Sequence, residues 1–186
     1  MRIYLTGFMG SGKTTVGPRV AARLGQPFLD LDRLIRAHDG RSIPQIFAEE
    51  GEAGFREQEA AFLRKTADTE DLVVALGGGA LVDADNRAFA KEHGRVIYLE
   101  VSPATIVERV GEEAEQRPLL QDEEGTPLAG AALLTRIESM LDERRESYEA
   151  AHATVDANQP VEAVETAVVE TVQERGWTAT PRFHDL

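Results

Sequence analysis

The stretch GFMGSGKTT, residues 7–15, lies between a strand-like segment, RIYLT, and a helix-compatible one, TTVGPRVAARL. It satisfies the pattern G-x-x-x-x-G-K-[ST], which joins a strand to a helix and binds phosphate. Glycines let backbone N–H groups converge on phosphate oxygens, and the helix N-terminus adds positive potential. Because the pattern and both flanks agree, the stretch predicts a phosphate-binding loop rather than an unrelated glycine turn.

The residues of this loop have distinct predicted roles. Lys13 supplies a point charge near a transferred phosphate, and Thr14 is suited to bind Mg²⁺. Further nucleotide contacts are predicted from the loop and the first helical turn, at Gly10, Ser11, Gly12 and Thr15. Switches, motors and small-molecule kinases share this loop, so the rest of the chain must choose among them. The chain has no N-K-x-D-like segment and is short for a remodelling ATPase, which favours a small-molecule acceptor.

Length and composition exclude several other classes. A chain of 186 residues predicts one domain, residues 1–186, and no apolar run is long enough to cross a bilayer. The chain enters its first strand-like segment without a secretory signal, so we expect a cytoplasmic protein. It has no cysteine, which excludes disulfides and thiolate chemistry. The net charge of −13 argues against nonspecific nucleic-acid binding, and an anionic ligand would need a local arginine pocket.

Short apolar segments alternate with helix-like stretches along the chain. The segments are RIYLT (2–6), PFLDLD (27–32), LVVALGGG (72–79), RVIYLEV (95–101) and HATVDA (152–157). This βαβ rhythm predicts an α/β fold of the P-loop NTPase type, with three layers and a parallel five-stranded sheet. Right-handed crossovers would bring the loops after the strands to one carboxyl edge of the sheet. Gly7, the pair Asp30 and Asp32, and Gly77 to Gly79 would converge there.

Three parts of the chain do not fit a simple crossover. The stretch at about 33–62 has apolar residues at helical intervals and is interpreted as a helical substrate-binding insertion. The stretch 111–130 is acidic and contains Pro and Gly, and a mobile lid is predicted at about 111–126. Residues 176–186 are predicted to form a poorly ordered tail.

Six sequence stretches together resemble one family. They are GFMGSGKTTVG, FLDLD, GEAGFREQE, LGGGA, RPLL and ERRESY, in the order and rough spacing of shikimate kinases, over residues 2 to about 170. The loop alone is widespread, but the combination with GFRE..E, LGGGA and RPLL is specific. The resemblance implies transfer of a phosphoryl group from ATP, with Mg²⁺, to the 3-hydroxyl of shikimate, giving shikimate 3-phosphate and ADP. It also implies a monomer of aromatic amino-acid biosynthesis.

Two carboxylates follow the second strand-like segment. Asp32 is suited to orient a substrate hydroxyl or accept its proton during phosphoryl transfer, and its alternative role is to cap the helix that follows. Asp30 lies two residues earlier, and on an extended segment the pair would share one face. We therefore expect Asp30 to steady the Mg²⁺ hydration shell beside Asp32.

A carboxylate substrate needs arginine donors. Arg56 and Arg144 match the positions that clamp the carboxylate in the similar enzymes, although a solvated helix face is the alternative for either arginine alone. Arg144 is chosen over Arg145 because the R-x-x-x-Y spacing of the family ends at Tyr148. Glu59 follows Arg56 by three residues and is expected to orient its guanidinium.

The remaining site residues come from glycines and the predicted lid. Gly77, Gly78 and Gly79 allow close backbone approach to a ring hydroxyl, Gly78 above all, or simply form a tight turn. Arg117 resembles a lid arginine that closes over ATP and stabilises the phosphoryl oxygens. Contacts near adenine are predicted at Arg109, with a surface helix arginine as the alternative, and at Gln159 and Pro160.

Two other functions stay open at this point. One is another small-metabolite P-loop kinase, such as a gluconate kinase, from which the predicted Arg56 and Arg144 clamp would distinguish the chain. The other is a nucleotide-binding regulator that has lost turnover, since a fold can outlive its chemistry. The presence of Lys13, Asp32 and Arg117 argues against the second.

Overall fold

Five parallel strands in one sheet form the centre of the structure, a computed structural model that describes residues 1–110, 117–122 and 124–177. The strands are β1 (Arg2–Thr6), β2 (Phe28–Asp30), β3 (Leu72–Ala75), β4 (Arg95–Glu100) and β5 (Ala153–Asp156). Their order across the sheet is β2-β3-β1-β4-β5, and each neighbouring pair is parallel. The predicted parallel five-stranded sheet is therefore confirmed.

Helices cover both faces of this sheet. They are α1 (Lys13–Leu24), α2 (Leu31–Asp39), α3 (Ile43–Lys65), α4 (Ala84–His93), α5 (Pro103–Val110), α6 (Gly130–Glu149) and α7 (Val161–Glu174). One face packs Ile3 and Leu5 against α1, α5, α6 and α7, and the other packs Tyr4 against α2, α3 and α4. Because successive strand residues point to opposite faces, β1 is buried on both sides. The three-layer α/β architecture is also confirmed.

The helices that follow β2 form the predicted insertion. A capping box of Ser42 and Gln45 begins α3, and the helix bends at Gly51, whose φ of 73° lies in the left-handed region that favours glycine. Beyond the bend, Phe55 and Phe62 are buried in the same core as Tyr4. The insertion is therefore anchored on the sheet layer, with its second half fixed in position.

The chain between α5 and α6 is partly packed on the core. Pro118–Leu120 forms a short 3₁₀ turn, and Leu120 is fully buried. The N–H of Leu128 donates to the Leu120 carbonyl at 2.9 Å, and Arg136 Nε donates to the Leu119 carbonyl at 3.2 Å. Residues 111–116 and 123 of the predicted lid lie outside the described residues, so the lid remains a prediction.

The packed part of the chain extends further at its C-terminal end than the sequence predicts. Trp177 is only 9% exposed, and its N–H donates to the Val172 carbonyl at 2.8 Å. Its ring meets His152 edge to face, so Gly176 and Trp177 belong with α7 rather than with a loose tail. Residues 178–186 of the predicted tail lie outside the described residues. No helix within the described ranges has the length and apolar character needed to cross a membrane.

Candidate active site

The loop between β1 and α1 takes its shape from glycines. Gly10 and Gly12 have φ angles of 78° and 92°, a conformation that residues with side chains rarely adopt. A Cβ atom at Gly10 would also lie 2.8 Å from the side chain of Val110. The backbone can therefore curve closely around a phosphate only with glycine at these positions.

Lys13 is buried inside this loop. Its Nζ donates to the carbonyls of Gly7 at 2.6 Å and Phe8 at 3.0 Å, and to the Ser11 hydroxyl at 3.2 Å. Burial lowers the pKa of Lys13 to about 8, although the carboxylate of Asp32 acts in the opposite direction. The protonation of Lys13 therefore depends on its burial and on the charged groups around it.

Asp30 connects the loop helix to α2. Its Oδ2 accepts a hydrogen bond from the Thr14 hydroxyl at 2.7 Å, and its Oδ1 accepts one from the N–H of Arg33 at 3.0 Å. Asp30 is the last residue of β2 and the N-cap of α2, while Asp32 already lies in the first helical turn. The predicted extended segment shared by Asp30 and Asp32 is therefore wrong, because the helix begins two residues earlier than expected. The cap considered for Asp32 is supplied by Asp30.

One carboxylate oxygen of Asp32 is enclosed by the protein. Its Oδ1 atom is buried and accepts no hydrogen bond within the part of the chain that the structure describes. Burial, with the nearby charge of Asp30, raises the pKa of Asp32 above its ordinary value, while Lys13 and Arg56 act in the opposite direction. Such an atom is suited to accept a hydroxyl proton, since a buried acceptor gains stability from a donor.

Two clefts meet beside Asp32. The larger, of about 620 Å³, follows the phosphate loop and includes Lys13 and Thr14. The smaller, of about 170 Å³, lies toward α3 and α6 and includes Arg56. Residues that line both clefts are Met9, Asp32, Gly78 and Arg117. A molecule in each cleft would therefore meet the other at Asp32 and Arg117.

Arg56 and Glu59 form an ion pair in the wall of the smaller cleft. Arg56 Nη1 donates to Glu59 Oε2 at 2.6 Å, while Nη2 lies 3.0 Å from the more exposed Glu52. Glu59 is fully buried, and this burial raises its pKa to about 7 although Arg56 lowers it. Its Oε1 has no hydrogen-bond partner within the described ranges. The structure thus brings Glu59 into contact with Arg56, and the orienting role of Glu59 stays a prediction.

The glycine run gives these side chains their room. A Cβ atom at Gly77 would lie 2.1 Å from Glu59 Oε1, and one at Gly79 would lie 2.5 Å from Arg56 Nη2. The strand itself ends at Ala75, four residues before the end of the apolar segment, because the chain turns and the N–H of Ala80 donates to the Gly77 carbonyl at 3.1 Å. The tight turn is therefore present, and the backbone approach of Gly78 to a substrate hydroxyl stays a prediction.

The neighbouring arginines of α6 have different surroundings. Arg144 is 8% exposed and lines the smaller cleft, with its guanidinium carbon 5.4 Å from the centroid of the Phe8 ring. The side chain of Arg145 is 64% exposed and pairs with Asp142 on the same helix. The structure thus brings Arg144, and not Arg145, to the candidate site.

The larger cleft also contains the residues predicted near adenine. Arg109 donates to the Gly10 carbonyl at 3.1 Å and to the Ala157 carbonyl at 2.9 Å, so it ties α5 to two loops. Gln159, Pro160 and Thr15 line the same cleft. Ser11 lines neither cleft; within the loop its N–H donates to the Phe8 carbonyl.

Several residues of the site have no role that the sequence predicts. Met9 lies at a variable position of the loop pattern but lines both clefts, and Phe47 and Phe55 form an apolar wall of the smaller one. The helical spacing of apolar residues in the insertion includes Phe47, but it does not predict which cavity a phenylalanine would line. The sequence singles out Tyr148 only by its spacing from Arg144, which predicts no contact for its hydroxyl.

Comparisons with known proteins point to one family. A family model described as "Shikimate kinase" matches residues 9–173 of this chain. A shikimate kinase of Salinibacter ruber is 66% identical over 172 residues, which are 92% of this chain and 84% of that protein.

Solved structures give the same result. A shikimate kinase from Acinetobacter baumannii, in complex with shikimate, superposes with a TM-score of 0.84 at 37% identity, covering 94% of this chain and 93% of that one. A gluconokinase from Sinorhizobium meliloti superposes with a TM-score of only 0.57 at 19% identity, covering 94% and 96% of the two chains. The similarity to the gluconokinase therefore shows a shared fold and no more.

Proposed function

The chain belongs to the shikimate kinase family, and from that premise we propose how its residues divide the work of phosphorylating shikimate. The reaction transfers the γ-phosphoryl group of ATP to the 3-hydroxyl of shikimate and gives shikimate 3-phosphate and ADP. The observation that carries the assignment of roles is the junction of two clefts at Asp32 and Arg117. The larger cleft is assigned to ATP and the smaller to shikimate.

ATP lies along the phosphate loop in this proposal. The N–H groups at the start of α1 and the ammonium of Lys13 bind the phosphates, since both present positive charge to the larger cleft. The adenine end is assigned to Arg109, Gln159 and Pro160, which line the same cleft. The triphosphate therefore points its last phosphoryl group toward Asp32.

The residues around Thr14 fit a magnesium ion. Thr14 and Asp30 offer hard oxygen atoms 2.7 Å apart, and Mg²⁺ prefers oxygen ligands with several waters retained. Thr14 would hold the ion directly, and Asp30 would bind its hydration shell. When bound, Mg²⁺ would offset the negative charge of the phosphate oxygens.

Asp32 is assigned to the acceptor hydroxyl. Its buried Oδ1 accepts the hydrogen bond of the 3-hydroxyl and directs that oxygen at the γ-phosphorus. As the new O–P bond forms and the bond to ADP breaks, the hydroxyl proton passes to this carboxylate. Its raised pKa suits the step, because a stronger base takes up the proton more readily.

Arginines hold shikimate and close the site. Arg56 and Arg144 bind its carboxylate, and Glu59 fixes the orientation of Arg56 through the 2.6 Å contact. Arg117, which lines both clefts, stabilises charge on the phosphoryl oxygens during transfer. Residues 33–62 serve as the substrate-binding insertion and 111–126 as the lid that excludes water. These parts form one kinase domain.

A coupled assay of ADP release tests this function. The purified chain should release ADP only when ATP, Mg²⁺ and shikimate are all present, and gluconate should not replace shikimate. Mass spectrometry of the product should show one added phosphoryl group. Absence of shikimate-dependent ADP release would reject the activity, and equal turnover with gluconate would reject the specificity. A cytoplasmic location and a monomeric state belong to the same proposal, and size-exclusion chromatography with light scattering measures the second.

A further inference from the structure

The hydroxyl of Tyr148 reaches the turn that borders both clefts. Tyr148 lies in the last turn of α6, is 2% exposed, and donates a hydrogen bond to the Gly78 carbonyl at 2.6 Å. Arg144 Nη1 lies 3.4 Å from the same oxygen, which is long for a hydrogen bond. Tyr148 is therefore the stronger of the two donors to this carbonyl.

The opposite side of Gly78 lies against the phosphate loop. A Cβ atom built on Gly78 would be 3.3 Å from the Gly7 carbonyl oxygen and 3.4 Å from the N of Met9. The glycine is thus enclosed between the loop on one side and Tyr148 on the other. A change in its position alters the spacing between the two clefts.

The hydrogen bond to the carbonyl also orients the next N–H group. In a planar trans peptide the C=O of Gly78 and the N–H of Gly79 point in opposite directions, so holding one fixes the other. Within the described ranges, the N–H groups of residues 77–79 have no backbone acceptor. Three consecutive glycines form the most permissive backbone available, so the turn needs an outside contact to keep one orientation.

We propose that Tyr148 is a positioning residue, whose hydroxyl fixes the Gly78–Gly79 peptide so that the N–H groups of this turn meet the acceptor. This role rests on the proposed function. It acts on shikimate rather than on ATP, because the nucleotide is held by the loop and by Lys13. Asp32, Arg56 and Arg144 are assigned to shikimate through their own side chains, whereas Tyr148, which also interacts with Arg144, is assigned to the glycine turn.

The substitution Tyr148→Phe isolates the hydroxyl. The phenyl ring keeps the stacking on Tyr98, whose centroid lies 4.7 Å away at an interplanar angle of 8°. We expect the KM for shikimate to rise about tenfold, the KM for ATP to change by less than about twofold, and kcat to fall less than the KM for shikimate rises. KM does not depend on the fraction of active enzyme, so partial unfolding of the variant does not obscure the result.

Tyr98→Phe is the matched control. It removes a hydroxyl from the other ring of the same stack, and Tyr98 lines neither of the two clefts. Its KM for shikimate should equal that of the parent. An unchanged KM in Tyr148→Phe, an equal rise of both KM values, or the same rise in Tyr98→Phe would each overturn the positioning role. If the parent itself releases no ADP with shikimate, the proposed function fails as well, so the two failures are distinguishable.

Discussion

The phosphate loop takes its chemical groups from one run of residues, 7–15, whereas the smaller cleft takes its groups from parts of the chain more than a hundred residues apart. Arg56 comes from α3 and Arg144 from α6, and the glycine turn lies between them in sequence. The loop is shaped by local backbone conformation, and the smaller cleft by the packing of whole helices on the sheet. A substitution in one region should therefore leave the other region working.

The largest expected effect lies where the two regions meet. Asp32→Asn keeps the size of the side chain but removes its ability to take up a proton, so kcat should fall by about 10²- to 10⁴-fold. The affinity for ATP should stay near that of the parent, because the loop does not depend on Asp32 for its shape. Turnover kinetics and equilibrium titration with ATP measure the two quantities.

Asp30→Asn is the comparison variant for this substitution. The amide oxygen of the new asparagine can still cap α2, so the fold should persist. The neutral amide is a weaker partner for Thr14, so the Mg²⁺ concentration needed for half-maximal activity should rise. Near-normal kcat in Asp32→Asn would remove Asp32 from the chemical step. Loss of ATP binding in that variant would contradict the independence of the two regions.

The arginines of the smaller cleft give the next largest effect. Arg56→Lys or Arg144→Lys keeps the charge but loses the planar fork, so the KM for shikimate should rise by about 10- to 100-fold with the KM for ATP unchanged. Arg145→Lys is the matched control, since its side chain is exposed and pairs with Asp142. A similar rise in Arg145→Lys would show that the effect comes from exchanging arginine for lysine anywhere on the surface rather than from the clamp.

The two regions also differ in how far the sequence predicts them. The loop, its helix and the five strands follow from local patterns, and the predicted sheet is confirmed. The relation of Asp30 to Asp32 does not follow from a local pattern, because the position of the N-cap decides whether the chain continues as a strand or begins a helix. The contact of Tyr148 with Gly78 spans 70 residues, and only the packing of α6 on the sheet brings them together. No local pattern encodes such a contact.

A smaller effect should appear in the pH dependence of shikimate binding. The pKa of Glu59 is about 7, so at lower pH its carboxylate takes up a proton and the ion pair with Arg56 is lost. We therefore expect kcat/KM for shikimate to fall several-fold as the pH falls through about 7. Glu59→Gln should remove this inflection. A profile that keeps the inflection in Glu59→Gln would assign it to another group.

The same ionisation affects stability in the opposite direction. The pKa of Glu59 is raised in the folded chain from 4.5 to about 7, so its contribution to the free energy of unfolding is fully present below 4.5 and is lost as the pH rises through about 7. Glu59→Gln should therefore show a smaller decrease in Tm over this interval than the parent shows. An equal decrease in both proteins would contradict the assignment.

The smallest expected effect lies entirely within the phosphate loop. Lys13 has a pKa of about 8 in the structure, and phosphate charges beside it would raise that pKa, so ATP binding should take up about half a proton near pH 8. Titration calorimetry in buffers of different ionisation enthalpy measures this uptake. Lys13→Arg should abolish it, because arginine stays charged, while Asp32→Asn should keep it. Uptake that survives in Lys13→Arg, or disappears in Asp32→Asn, would place the titrating group outside the phosphate loop and contradict the separation of the two regions.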